Sequence, residues 1–267
     1  MRLNDEQLSS YKEEGYLFFS EYLPADLVED MQNSVPGAIE SNHPGKVYEQ
    51  DNTTVRMIHG IHEEVPAFER LVHHPLVVEP IQQFLESDIY VHQFKVNFKA
   101  AFEGEVWQWH QDYVYLREND GIQQPRMANA IVFLDEVNEF NGPLLIIPKS
   151  HQEGNVSSVT VEQQHAAYKD SPEWIESMTT KLKFTVSQEV VARMVGENGI
   201  VAPKGPPGSV LFFHPDVVHG SATNMSPFGR NIVVINFNST ENLPVVGENQ
   251  RPEFLASRDY RPIVPHV

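Results

Sequence analysis

The segment Trp107-Gln-Trp-His-Gln-Asp112 places His110 two residues before Asp112. On an extended strand, residues i and i+2 point to the same side, so this spacing lets one imidazole and one carboxylate grip one metal ion. An H-x-D pair recurs by chance, and alone it reads as a surface histidine beside a solvated aspartate. A third donor changes that reading. Two histidines and one carboxylate on one face of a metal leave three positions open, which is the donor set of non-haem Fe(II) oxygenases. The chain has no cysteine, so any metal site must use such donors. The stretch FFHPDVVHGSATN offers His214 and His219. His219 is favoured because Arg230 follows eleven residues later and enters an apolar run. An arginine on an adjacent strand clamps a carboxylate through two parallel hydrogen bonds. It would anchor a dicarboxylate cosubstrate whose other end chelates the metal. His214 then reads as a polar group at a strand end. His59, His62, His73, His74, His92 and His151 lack matched partners and read as structural or exposed.

The elements that must position these residues are legible in outline. Asn4 with Gln7 forms a capping box, which predicts a helix closing near Gly15. A short strand is expected over Tyr16–Phe19. Helical spacing predicts further helices over Pro24–Met31 and Pro75–Leu85. From Ile89 the character turns to β. Strands are expected over Ile89–Phe98, Ala128–Val137, Leu144–Ile147, Val210–Phe213 and Arg230–Asn238, punctuated by glycine and proline. Many short strands with such turns indicate an antiparallel sandwich or barrel, of which the jelly roll is one form. The organisation is a single domain: a mainly helical flank at 1–86, a β core at 87–151 and 198–240, and a polar insertion at 152–197. Long insertions of this kind serve as lids or binding loops.

Composition excludes other classes. The 267 residues carry 19 Lys and Arg against 37 Asp and Glu, a formal charge of −18. A nucleic-acid binder needs a basic face, and a polybasic membrane anchor needs a basic cluster. No nucleic-acid partner is expected. The absent cysteines exclude disulfides, zinc–thiolate and iron–sulfur sites. MRLNDEQLSSYKEEGYLFF has no basic region followed by an apolar run, so no signal peptide is expected. No apolar stretch is long enough for a membrane span. A cytoplasmic location is the expectation, and the oligomeric state is open.

Several stretches carry a resemblance. YVHQFKVNFKAAFEGEVWQWHQD, NGPLLIIPKSH, PPGSVLFFHPDVVHGSATNMSPFGRN, FNSTEN and RPEFLASRDYRPI run in this order from about Tyr90 onwards. They resemble the phytanoyl-CoA dioxygenase superfamily of Fe(II)/2-oxoglutarate oxygenases, and within it the ectoine hydroxylases. The resemblance implies a mainly β fold with flanking helices, the double-stranded β-helix or cupin-like jelly roll. It implies Fe(II) on His110, Asp112 and His219, with 2-oxoglutarate and O2 as cosubstrates. Arg230 would hold the distal carboxylate of 2-oxoglutarate, helped by Ser221 and Asn97, with Trp107 lining that pocket. Gln93 matches a substrate-contacting glutamine of ectoine hydroxylases, and Phe213 matches a family aromatic.

The departures fall on the substrate side. Leu116 stands where ectoine hydroxylases carry a tryptophan, and Val234 where they carry a phenylalanine. Asn129 replaces a family serine. The expectation is a dioxygenase that hydroxylates an unactivated C–H bond of a small polar metabolite, an amino acid or a derivative of one. Asp112 argues against a related halogenase, which needs a small residue there. Phytanoyl-CoA does not fit so acidic a chain. The competing readings are an ectoine 5-hydroxylase, a desaturase or cyclase on the same iron, a zinc hydrolase, and a jelly-roll binding module with a vestigial site.

Overall fold

The computed structural model describes residues 2–159, 172–180, 182–245, 247 and 250–266. The N-terminal flank runs α1 (Asp5–Glu14), β1 (Tyr16–Phe19), α2 (Ala25–Glu40), β2 (Lys46–Tyr48), β3 (Val55–His59), α3 (Pro66–His73) and α4 (Pro75–Leu85). The next stretch contains β4 (Ile89–Lys99), β5 (Trp107–His110), α5 (Asp112–Asp120), β6 (Met127–Phe133) and β7 (Leu144–Ile146). It is followed by β8 (Ser158–Val159), β9 (Phe184–Thr185), α6 (Gln188–Asn198), β10 (Val210–Phe213), β11 (His219–Ser221) and β12 (Arg230–Ser239).

The Asn4 capping box forms as expected, and α1 closes on Gly15 at φ +82°, a conformation that glycine adopts without strain. Helix α2 extends well past Met31, through Pro36 to Glu40. Pro36 lies on the exposed face, so the carbonyl it leaves unpaired is open to water. The flank also contributes strands. β1, β2 and β3 all join the main sheet.

That sheet is antiparallel, with strand order β1-β10-β6-β12-β4-β3-β2. A second sheet has the order β5-β11-β7. Together with the flanking helices they make the expected double-stranded β-helix. Side-chain alternation divides the main sheet into two faces. Ala128, Ala130 and Val132 of β6, Val210 and Phe212 of β10, and Val233, Ile235 and Phe237 of β12 pack in the core that includes α2, α3 and α4. Ile131, Phe133, Leu211, Phe213, Ile232 and Val234, on the opposite face, pack with Ile146 of the second sheet. The same alternation on β4 buries Phe94, Val96 and Phe98 against the helices. It turns Gln93, Lys95, Asn97 and Lys99 to the inner side.

Candidate active site

The H-x-D pair spans a change of element. His110 ends β5 and Asp112 opens α5. The geometry still brings them together, because Gln111 between them is extended at φ −121° and ψ 138°. Gln111 is fully buried and points away from the site. Its amide donates to the carbonyls of Gly154 and Asp216 at 2.7 Å each. Its carbonyl accepts from the Val156 N–H and the Ser157 hydroxyl. The N–H groups of Asp112 and Tyr113 both donate to the Pro215 carbonyl. The first turn of α5 is thus pinned to the loop preceding β11.

The second histidine arrives by strand pairing. His219 lies directly opposite His110 in the β11–β5 ladder, and the ring centroids are 4.2 Å apart. Asp112 Oδ1 lies 3.6 Å from His110 Nε2 and 3.8 Å from His219 Nε2. One ligand atom from each residue falls within 4.8 Å of the others. Each histidine uses Nδ1 on its own strand, against the Gln108 carbonyl at 2.6 Å and the Val217 carbonyl at 2.9 Å. Those carbonyls only accept, so each Nδ1 is protonated and each Nε2 keeps its lone pair for a metal. Burial and the neighbouring His110 push His219 down to about 4. Burial works to raise Asp112, and His219, His110 and Lys95 outweigh it, holding the carboxylate well below its ordinary range. This donor set fits Fe(II).

Asn129 has a different place from the one expected. Its amide donates to Asp112 Oδ2 at 2.8 Å, and its carbonyl accepts from Asn236 at 2.5 Å. One carboxylate oxygen is therefore held by the Asn129 amide while the other faces the histidines. His214 is turned elsewhere. Its Nδ1 accepts from the Asp216 N–H at 3.1 Å, and its ring lies 5.3 Å from that of His151.

Two chambers share His110 and Asp112 in their walls. One contains Arg230, Asn97, Ser221, Phe213 and Val234. Arg230 is 3% exposed, and among the described residues its side chain makes no hydrogen bond or salt bridge. Burial pulls its guanidinium down to about 10. The Asn97 carbonyl oxygen there is also buried without a partner. A buried, unpaired guanidinium is costly. A dicarboxylate such as 2-oxoglutarate would satisfy it. Lys99, which pairs in register with Arg230, was missed in the sequence. Its ammonium donates to the Ser221 hydroxyl at 3.0 Å and to the Glu105 and Ala222 carbonyls. Burial, Arg230 and Arg56 push it down to about 6.

The other chamber contains Gln93, Leu116, Tyr115, Asn236, Met178 and Arg251. Trp107 and Lys95 border both. Phe213 and Val234, expected at the substrate, thus lie on the Arg230 side, while Gln93 and Leu116 lie on the other. Arg56 stacks 4.0 Å over the Trp107 ring and is held by Glu49 at 2.9 Å and by the Met178 carbonyl. Of the charged residues given no role in the sequence reading, Lys95, Lys99 and Arg251 lie within or at the start of the stretches that carry the resemblance, and Arg56 lies outside them.

A family model described as phytanoyl-CoA dioxygenase matches residues 11–232. L-proline trans-4-hydroxylase of Streptomyces griseoviridis is 34% identical over 255 residues, covering 96% of this chain and 93% of the relative. Ectoine dioxygenase of Bordetella bronchiseptica is 32% identical over 264 residues, covering 96% of this chain and 83% of the relative. Among solved structures, EctD from S. alaskensis with 2-oxoglutarate and 5-hydroxyectoine aligns at a TM-score of 0.82 and 26% identity. That alignment covers 99% of this chain and 87% of the EctD chain.

Proposed function

This chain belongs to the phytanoyl-CoA dioxygenase family, and from that premise we propose that it hydroxylates a small free amino acid, with a cyclic imino acid of the proline type as the leading candidate. It is an Fe(II)- and 2-oxoglutarate-dependent dioxygenase. Bound Fe(II) supplies the activation of O2, coupling decarboxylation of 2-oxoglutarate to succinate and CO2 with insertion of one oxygen atom into a substrate C–H bond.

The side chains divide the remaining tasks. His110, Asp112 and His219 would hold the iron. Arg230, with Asn97 and Ser221 beside it, would anchor 2-oxoglutarate by its distal carboxylate. Asn129 fixes the Asp112 carboxylate so that one oxygen faces the histidines. Gln93 and Leu116 border the substrate chamber, and Met178 and Leu182 border it from the 172–186 segment. That cover limits access of water to the reacting carbon. The observation that carries the reading is the pairing of this complete donor set with a substrate side that keeps Gln93 but has Leu116 in place of an aromatic.

The test is product formation with Fe(II), 2-oxoglutarate and either L-proline or ectoine, followed by mass. The expected outcome is a product 16 mass units heavier from L-proline, with succinate in equal amount. Turnover on ectoine is expected to be about tenfold or more lower in kcat/KM, since loss of aromatic packing costs roughly 0.5–2 kcal/mol per ring. Ectoine turnover matching that on the best amino acid would make ectoine the substrate.

A further inference from the structure

Two cationic side chains border the Gln93 chamber, and they are not equivalent. Arg251 donates through Nε and Nη2 to the two oxygens of Asp120 at 2.7 and 2.5 Å. The Asp120 side chain is 2% exposed, and His92 Nε2 lies 2.9 Å from its Oδ2. The Arg251 charge is therefore matched within the fold. Lys95 has no such arrangement. It lies on β4 between Gln93 and Asn97, partly buried, and among the described residues its side chain makes no hydrogen bond or salt bridge. The carboxylate that acts on it is Asp112, whose Oδ2 accepts from Asn129 and whose Oδ1 faces the two metal-site histidines. With a metal on Asp112, that negative charge is spent.

An ammonium withdrawn from water without a partner is expensive, and the cost is recovered when an anion arrives. A second group in the same chamber is also incomplete. Asn236 is 1% exposed and gives its amide to Asn129, while its carbonyl oxygen is buried without a donor. One ligand completes both: a molecule offering a carboxylate to Lys95 and an N–H to Asn236. A zwitterionic amino acid has that pair of groups on one carbon.

We propose that Lys95 is the carboxylate receptor of the substrate chamber, and that it makes the enzyme select a free amino acid over the corresponding amide or the decarboxylated amine. The proposal rests on the amino-acid reading above and adds to it the group that is read. Lys95 also borders the Arg230 chamber, so the cosubstrate's carboxylate is the rival claimant, and the experiment must separate the two.

The wild type, Lys95→Met and Lys95→Arg are loaded with Fe(II) and 2-oxoglutarate without O2. Binding of L-proline, L-prolinamide and pyrrolidine is measured by calorimetry, and KM values for L-proline and 2-oxoglutarate are measured in air. The wild type is expected to bind L-proline about 100-fold more tightly than L-prolinamide. Lys95→Met should lose that factor for L-proline while its affinity for L-prolinamide moves by no more than a few-fold. Lys95→Arg should keep most of the discrimination, and the 2-oxoglutarate KM should stay within a few-fold throughout. Discrimination that survives in Lys95→Met overturns the proposal. So does a large rise in the 2-oxoglutarate KM with discrimination intact, which would assign Lys95 to the cosubstrate. A wild type that hydroxylates L-proline but binds acid and amide alike overturns the Lys95 assignment alone. A wild type that binds and hydroxylates no free amino acid overturns the underlying reading and the assignment with it.

Discussion

Asp112 is the residue whose two oxygens have separate duties, and Asn129 keeps them separate. The amide at 2.8 Å occupies Oδ2, which leaves Oδ1 to face the histidines. Removing such a partner of a metal ligand costs roughly 10- to 100-fold in metal affinity. Asn129→Ala is accordingly expected to weaken Fe(II) binding about tenfold or more, with little change in the 2-oxoglutarate KM once iron is saturating. Equilibrium titration with Fe(II) under anaerobic conditions checks this. Unchanged iron affinity would return Asn129 to the substrate role that the sequence suggested. At this scale, sequence legibility followed the motifs. His110, Asp112 and His219 were chosen by spacing, and the structure brings their ligand atoms within 4.8 Å of one another; Arg230 was chosen by its place after His219. Lys95 and Lys99 were missed, although the period-2 rule that turns Gln93 and Asn97 inward turns them inward too. The signal was present in HQFKVNFK. A lysine in a strand reads as solvent-facing until the layer that covers it is known.

At the scale of elements, the metal site depends on how closely β11 approaches β5. Gly220 lies between His219 and Ser221, and a Cβ added there would come within 2.9 Å of the Trp107 carbonyl and 3.3 Å of the Trp109 nitrogen. Gly220→Ala must push the two strands apart, at a strain of about 1–3 kcal/mol. The expected result is a modest fall in Tm with a much larger loss of iron affinity, because His110 and His219 are carried by the two separated strands. Equal affinities in the two proteins would show that the ladder absorbs a methyl group. The long strands were readable because their alternation is strong. β2 and β3 were not, being short and stabilised by pairing with each other and with β4 rather than by local pattern. Helix α3 was missed because it is a short segment directly before the Pro75 that opens α4. The switch from strand to helix at Asp112 was also hidden, since one extended residue preserves the H-x-D geometry in either element.

Across the whole molecule, Met178 and Leu182 border the chamber that contains Gln93, and the described residues 182–186 are tied to β5 and α5. The Leu182 N–H donates to the Gln108 side chain, and the Val186 N–H to the Trp109 carbonyl at 2.8 Å. The Tyr115 hydroxyl donates to the Phe184 carbonyl at 2.6 Å and accepts from its N–H at 2.9 Å. The insertion expected as a lid covers 152–197, and part of it lies outside the described residues. If this segment closes on ligands, amide exchange at Leu182 and Phe184 should slow at least about tenfold when 2-oxoglutarate and L-proline bind without O2, while the interior of β12 is unchanged. Equal exchange with and without ligands would make this a fixed cover. Strand β4 has a further consequence. Gln93 near its middle borders one chamber and Asn97 further along borders the other, with Lys95 between them. At about 3.3 Å per residue, the strand sets a separation of roughly 13 Å between the backbone positions of Gln93 and Asn97. It acts as a ruler graduated at every second residue. On the function proposed above, replacing Gln93 would alter the substrate side while the Asn97 side is left intact. An insertion of a single residue between them would invert every graduation beyond it unless a bulge absorbed it, as one already does at His92 beside Gln93.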